Sequence, residues 1–312
     1  MTFLVGVNPG QRSASTLHLA AMLARSADTD LVVAAIVPQT WPKSAGRADA
    51  EWQKYTHQTA NVVLDHAAAV LGDSVKAEYL LHEASSARRG LLELVDDRGC
   101  DLVVVGSSTA GPLGRIALGS ESDALVHASH VPVAIAPRGF RTNDGARVGR
   151  VTAAYGGTEA AADLVIGAAG IAAQVGASLR IASFAVVPTV SGTSGTGLED
   201  EQRIIGEWAN DIDRHAERLI GEVSSLPRPP KTDGTVIGMG HTWESAIEDV
   251  EWDAGDVLVV GSSSLGPIAR VFLGSHAAKV VRNSPVPVVV VPRRAAQELV
   301  EEALDEEGEG LA

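Results

Sequence analysis

The chain has 312 residues, room for about two domains of ordinary size. Its apolar share of 45% and charged share of 21% suit a soluble globular protein, and no apolar run approaches the roughly 18 residues of a membrane span, which excludes a membrane partner. A net charge of −14 argues against a nucleic-acid partner, because phosphate backbones are bound largely by Lys and Arg.

Along the chain the apolar pattern alternates between short β-branched runs and longer helical ones. Strands are predicted at Phe3–Val7, Leu31–Val37, Val75–Leu81, Leu102–Val105 and Val133–Ala136. A helix is predicted over Ala48–Leu71 from the spacing of Trp52, Tyr55, Val62, Val63 and Leu64, its aromatics assigned to the core. Gly139–Arg150, where Gly, Arg, Asn and Asp replace the periodicity, reads as a linker. Strands resume at Val151–Ala154, Leu179–Val187, Thr235–Met239, Val257–Val260 and Val288–Val291. Ser191–Gly197 reads as a loop before a helix over Leu198–Val223, which Ile204, Ile205, Trp208, Ile212 and Leu219 mark by their spacing and whose Trp208 is assigned to the core. The acid-rich run from Glu298 to Glu309 reads as a solvated, frayed or disordered tail. Strands linked by helices imply a parallel sheet, and continuously apolar runs such as Val257–Val260 suit strands covered on both faces.

Cys100 is the one cysteine, which excludes an intrachain disulfide, fits a reducing compartment and reads as a small buried hydrophobe. The N-terminal Met1–Val7 lacks the basic leader, apolar stretch and cleavage site of an export signal, so the expected location is the cytoplasm.

Segments 106–138 and 261–293 align without a gap, and sixteen of their 33 positions are identical. The chain therefore reads as a duplication: a first domain over 1–138, a linker over 139–147, a second domain over 148–294 and a tail over 295–312. In each copy a buried strand enters a Gly-Ser-Ser turn, passes a Gly/Pro loop and reaches Gly-Ser at the start of a helix: Gly106 to Gly119-Ser120, then Gly261 to Gly274-Ser275. Such turns favour an anion, since glycine lets the backbone approach a phosphate and a first helical turn offers unpaired N–H groups. The hydroxyl of Ser120 or Ser275 adds a donor, and Arg115 and Arg270 are placed to neutralise charge. On the residues alone, glycines serving only as turns and caps explain the pattern equally well. Location favours a ligand, because open parallel sheets bind theirs beyond the carboxyl ends of the strands.

The spacing Gly, two residues, Gly, nine residues, Gly-Ser resembles the signature of the universal stress protein family, matched at its ends by Gly106 with Gly119-Ser120 and by Gly261 with Gly274-Ser275. Val131-Pro132-Val133 and Pro285-Val286-Pro287-Val288, each leading into a valine-rich last strand, are similar to that family too. The resemblance implies an α/β fold of two tandem, doubly wound, five-stranded parallel-sheet domains, strand order 3-2-1-4-5, of the adenine-nucleotide α-hydrolase-like type. It implies halves that pair as a pseudo-dimer, with a further homodimer left open, and ATP, with or without Mg, or another adenine nucleotide across the strand ends. The residues so implied are Asn8, Pro9, Val37, Val105, Gly106, Thr109, Arg115, Gly119 and Ser120 in the first half. In the second they are Tyr155, Gly156, Val187, Val260, Gly261, Ser264, Arg270, Gly274 and Ser275. Thr109 and Ser264 replace the signature's middle glycine, and Asn8 and Tyr155 stand where ATP-binding members carry an acid. Asn8 retains hydrogen bonding to base or ribose, whereas Tyr155 would stack on or fill the base site. The first half is therefore the closer to a working pocket.

No Gly-x-x-x-x-Gly-Lys-Ser/Thr, no Gly-x-Gly-x-x-Gly after the first strand and no Gly-x-Ser-x-Gly occurs, which argues against P-loop, dinucleotide and serine-hydrolase chemistry. The nine histidines do not pair as metal ligands, and His276 reads as a solvent-facing residue of a first helical turn. No carboxylate or histidine recurs in both repeats to orient water. The reading is a non-enzymatic regulatory module, with a nucleotide-independent scaffold and a very slow ATPase as its alternatives.

Overall fold

The computed structural model describes residues 1–8, 14–39, 47–187, 196–262 and 274–305. Pro9, Ser264 and Arg270 lie outside them, as do all but the last two residues of the predicted loop Ser191–Gly197.

The first half runs β1 (Thr2–Val7), α1 (Ala14–Ala27), β2 (Asp30–Pro38), α2 (Arg47–Leu71), β3 (Ala77–Ala84), α3 (Ala87–Arg98), β4 (Leu102–Gly106), α4 (Ser120–Val126) and β5 (Val133–Ala136). The second runs β6 (Arg150–Ala154), α5 (Glu159–Val175), β7 (Ser178–Val186), α6 (Thr196–Val223), β8 (Thr232–Gly240), α7 (Trp243–Glu248), β9 (Asp256–Gly261), α8 (Ser275–Asn283), β10 (Val288–Val291) and α9 (Arg293–Leu304). One ten-stranded sheet joins them in the order β3-β2-β1-β4-β5-β10-β9-β6-β7-β8. Each half is parallel with the 3-2-1-4-5 order, and the halves meet where β10 pairs antiparallel to β5, Val289 opposite Ala134.

Local chemistry sets the element boundaries. Ser86 and Thr158 cap α3 and α5 by accepting the N–H of Arg89 and Ala161, and Thr242 forms a capping box with Ser245 on α7. Gly99 and Gly176 end α3 and α5 in the left-handed region, at φ 58° and 69°. Helices cover both faces of the sheet, producing two apolar layers. One includes Phe3, Val5, Leu17, Val151, Leu164 and Leu219; the other includes Leu4, Leu91, Leu94, Val103, Ile247 and Val281. Cys100 is buried as expected, and burial pushes its thiol up to about 11.

Three expectations change. Trp52 and Tyr55 are 53% and 60% exposed, because the buried stripe of α2 is Ala60, Val63, Leu64, Ala67 and Leu71, and both point off it. Trp208 precedes Ile212 and Ala216 on one helical stripe, yet it is 36% exposed while those two are buried. Of the acid-rich run Glu298–Glu309, residues 306–309 lie outside the described residues, and the part up to Leu304 is helical rather than frayed, its acids solvated as expected. Arg293–Leu304 form α9, which buries Ala295 and Ala296 and packs on α5, while its acids face outward.

Candidate functional site

Where β1 and β4 end, a cavity of about 390 Å³ opens in the first half. Gly6, Val7 and Asn8 form one wall and Val105, Gly106, Ser107 and Ser108 the other; Thr16 of α1, His66 of α2 and Arg88 of α3 close the sides, and Gly119–Ser122 cover the end. Gly106 is required by close approach, since a Cβ there would lie 2.5 Å from Thr16 Oγ1. Gly119 has an ordinary φ of −77°, and a Cβ would meet Ser108 Cβ only at 3.7 Å, so what its missing side chain supplies is room.

The loop between these glycines is tied in place from within. The Ala117 N–H donates to Ser107 Oγ at 2.7 Å, and the Ser108 N–H donates to the Ala117 carbonyl at 2.7 Å. The Gly114 N–H donates to the Arg138 carbonyl at 2.9 Å, and the Arg138 N–H donates to the Arg115 carbonyl at 3.0 Å. Ser108, Ser120, Ser122 and Arg88 thus line one cavity with Asn8 and Thr16, a set of residues suited to a phosphorylated, hydroxyl-bearing ligand. Glu121 is the one acid in this lining, and its carboxylate accepts the Arg88 N–H at 3.2 Å.

Of the residues singled out in the sequence, Asn8, Val105, Gly106, Gly119 and Ser120 come together here. Val37 is buried in the layer under α1 and α2, and Thr109 is exposed outside the lining. Arg115 turns away: its guanidinium pairs with Glu248 and lies 3.8 Å from Glu244, both on α7 of the second half. Thr16, His66, Arg88, Glu121 and Ser122 were missed, because they sit on helices, whereas the glycine signature marks only the strand-to-helix loop.

The second half differs. Phe3 pairs with Leu102 and Val151 with Val257, which the repeat equates, so Tyr155 stands where Val7 does and Gly156 where Asn8 does. The residue replacing the family's acid is therefore Gly156, exposed with open space around it, and not Tyr155. Tyr155 is buried in the α5/α6 layer, where desolvation raises its phenol above its usual value. Val260 is buried, and the Val187 N–H donates to the Gly240 carbonyl at 2.8 Å. Gly261 faces Leu164, a Cβ there lying 3.4 Å from Leu164 Cδ2. Gly274 precedes α8 as its N-cap, with Ser275 as the first helical residue. Over this helix start the Trp243 ring stands 5.3 Å from the His276 ring, with Lys279 Nζ 5.6 Å from the Trp243 centroid. His276 is exposed in the first turn of α8, as expected, and also faces the Trp243 ring. Among the described residues no group of three or more His, Cys, Asp or Glu is arranged to hold a metal ion, and no helix is long and apolar enough to cross a membrane.

Two duplicated, doubly wound parallel sheets with a polar cavity beyond the carboxyl ends of the strands define an α/β ligand-binding fold. The model of the universal stress protein family matches residues 1–137 and again 148–292, and the chain belongs to that family. Universal stress proteins of Mycobacterium tuberculosis and Mycobacterium bovis are 34% identical to it over 296 residues, covering 94% of this chain and 100% of theirs. The solved structure of a universal stress protein from Archaeoglobus fulgidus overlays with a TM-score of 0.58 at 18% identity, over 94% of this chain and 98% of that one. One from Pseudomonas aeruginosa does so with a TM-score of 0.52 at 14% identity, over 97% and 98%. At these identities the structures attest the fold.

Proposed function

We propose that the first half binds one adenine nucleotide, ATP in the first instance, and that the chain works as a regulatory binding module rather than an enzyme. The observation that carries this reading is the first-half cavity, which unites Asn8, Gly106, Gly119 and Ser120 with Thr16, Ser108, Ser122 and Arg88. Phosphate oxygens would face the serines and Arg88, while Asn8 and Thr16 would serve base or ribose. Glu121, the sole carboxylate in that lining, leaves magnesium to be held mainly by the nucleotide's own phosphates. The same scarcity of acids argues against efficient hydrolysis. The halves, joined through β5 and β10, act as a pseudo-dimer in which the second half is the non-binding partner, with Leu164 and Trp243 standing where Thr16 and Ala87 stand in the first.

Calorimetric titration of nucleotide-free protein with Mg-ATP tests this, with one site per chain expected. Gly119→Phe is the control, because its backbone conformation accepts any residue while the ring enters the cavity. That variant should fold and lose the site. Undiminished affinity in folded Gly119→Phe, or two equal sites per chain, overturns the assignment.

A further inference from the structure

A second cavity, about 420 Å³ and lined from both halves, lies on the opposite side of the first-half strands' span from the nucleotide cavity, near Met1 and Asp101. Its floor is the sheet face formed by Phe3, Val151, Val257 and Val289, and Leu23 of α1, Val175 of α5 and Leu299 of α9 wall it in. A cleft of this size lined mainly by apolar side chains leaves apolar surface open to water, which is unfavourable. Loose docking of α9 does not account for it. Beside the cavity α9 meets α5 so closely that a Cβ on Gly167 or Gly170 would lie 2.9 Å from Leu299 Cβ or Ala303 Cβ. The helix is seated tightly on one flank and stands off on the other.

The mouth is acidic. Asp101, Glu298 and Glu302 contribute to the lining, which contains no Lys or Arg among the described residues. Glu298 accepts from Arg294 at 3.0 Å, Asp101 accepts the Thr2 N–H at 2.7 Å, and His130 faces Asp96 at 3.3 Å. We propose that this cavity is a second ligand site, taking a small amphiphile with an apolar body on the valine floor and a cationic head at the α9 carboxylates. Volume and lining match those of small-molecule sites, which are mainly apolar with a few placed polar groups.

The probes are decylamine, decanol and decanoate, each titrated into the full chain below its micelle concentration and followed by calorimetry and thermal shift. Decylamine should bind at one site per chain and raise Tm, with decanoate about tenfold weaker from charge repulsion at the rim. Glu298→Lys with Glu302→Lys should reverse that order. Val175→Trp or Ala27→Trp, each filling the cavity from a partly exposed helix end, should abolish binding of every probe while Mg-ATP stoichiometry is unchanged. No binding of any probe, decanoate binding tightest to the unaltered chain, or undiminished binding in a folded cavity-filling variant would overturn the proposal.

Discussion

The two halves share one topology yet use it in opposite ways. Beyond the strand ends the first half opens a cavity past Thr16 and Ala87, whereas the second sets Leu164 and Trp243 at the equivalent places, the latter fixed by the matching caps Ser86 and Thr242. At the other end the pattern inverts. The first half pairs Leu4 with Val32, while the second pairs Thr152 with Arg180, whose Nε donates to Thr152 Oγ1 at 3.2 Å and which packs 4.9 Å from the Trp252 centroid. Asp256, 1% exposed, accepts from Arg150 at 2.6 Å and lies 3.6 Å from Arg180; its first-half equivalent Asp101 is exposed. A duplicated sheet tolerates such exchanges because the ladder depends on the backbone, while the side chains beyond it set the chemistry at the strand ends.

The largest expected effect comes from reversing that exchange. Leu164→Thr combined with Trp243→Ala should raise Mg-ATP stoichiometry from one site per chain to two and lower stability by about 3–6 kcal/mol, since both truncations remove packed apolar volume. Calorimetry reads the first effect and urea melts the second; a stable double variant that still binds one nucleotide would mean that Gly156 and the rest of the second site are unsuited to the ligand. Next is the buried ion network. Asp256→Asn leaves two largely buried guanidinium groups without their shared carboxylate and should cost about 3–5 kcal/mol, against under about 1 kcal/mol for Asp101→Asn. Equal losses in the two melts would erase the contrast between the halves.

Much of this architecture was legible in the sequence. Period and β-branched runs place all ten strands, most within two residues, because continuously apolar strands and glycine-bounded turns leave few alternatives. The exposed face of α2 was not legible. Trp52 and Tyr55 are apolar by type, and only their angle from Ala60, Val63 and Ala67 reveals which side they take. At the site, the glycines were readable because the repeat doubles them. Thr16 and Arg88 were not, since each belongs to a helix whose approach to the strand ends depends on tertiary packing. The one-residue slip that equated Tyr155 with Asn8 has a similar origin: strand ladders fix that register, and side-chain identity does not.

Smaller changes sharpen the comparison at its two shared motifs. Gly106→Ala drives a Cβ to 2.5 Å from the Thr16 hydroxyl, which must rotate or shift, and should cost about 1–3 kcal/mol with a matching loss of nucleotide affinity. Gly261→Ala meets Leu164 at 3.4 Å, close to ordinary contact, and should cost less than about half as much. Comparable losses in the two denaturation curves would show that the strand ends are equally crowded.

Arg115→Ala should have the smallest effect and separates two roles that its sequence position left joined. Glu248 is 53% exposed on its side chain, so removing Arg115 strands no buried charge, and stability should fall by about 1 kcal/mol or less, with the difference shrinking in high salt. Mg-ATP affinity should stay within about twofold of the unaltered chain, because the guanidinium is directed at α7 and not into the cavity. A tenfold loss of affinity would mean that Arg115 leaves α7 for the phosphates when nucleotide binds, and occupancy of the first half would then be felt directly at α7 of the second.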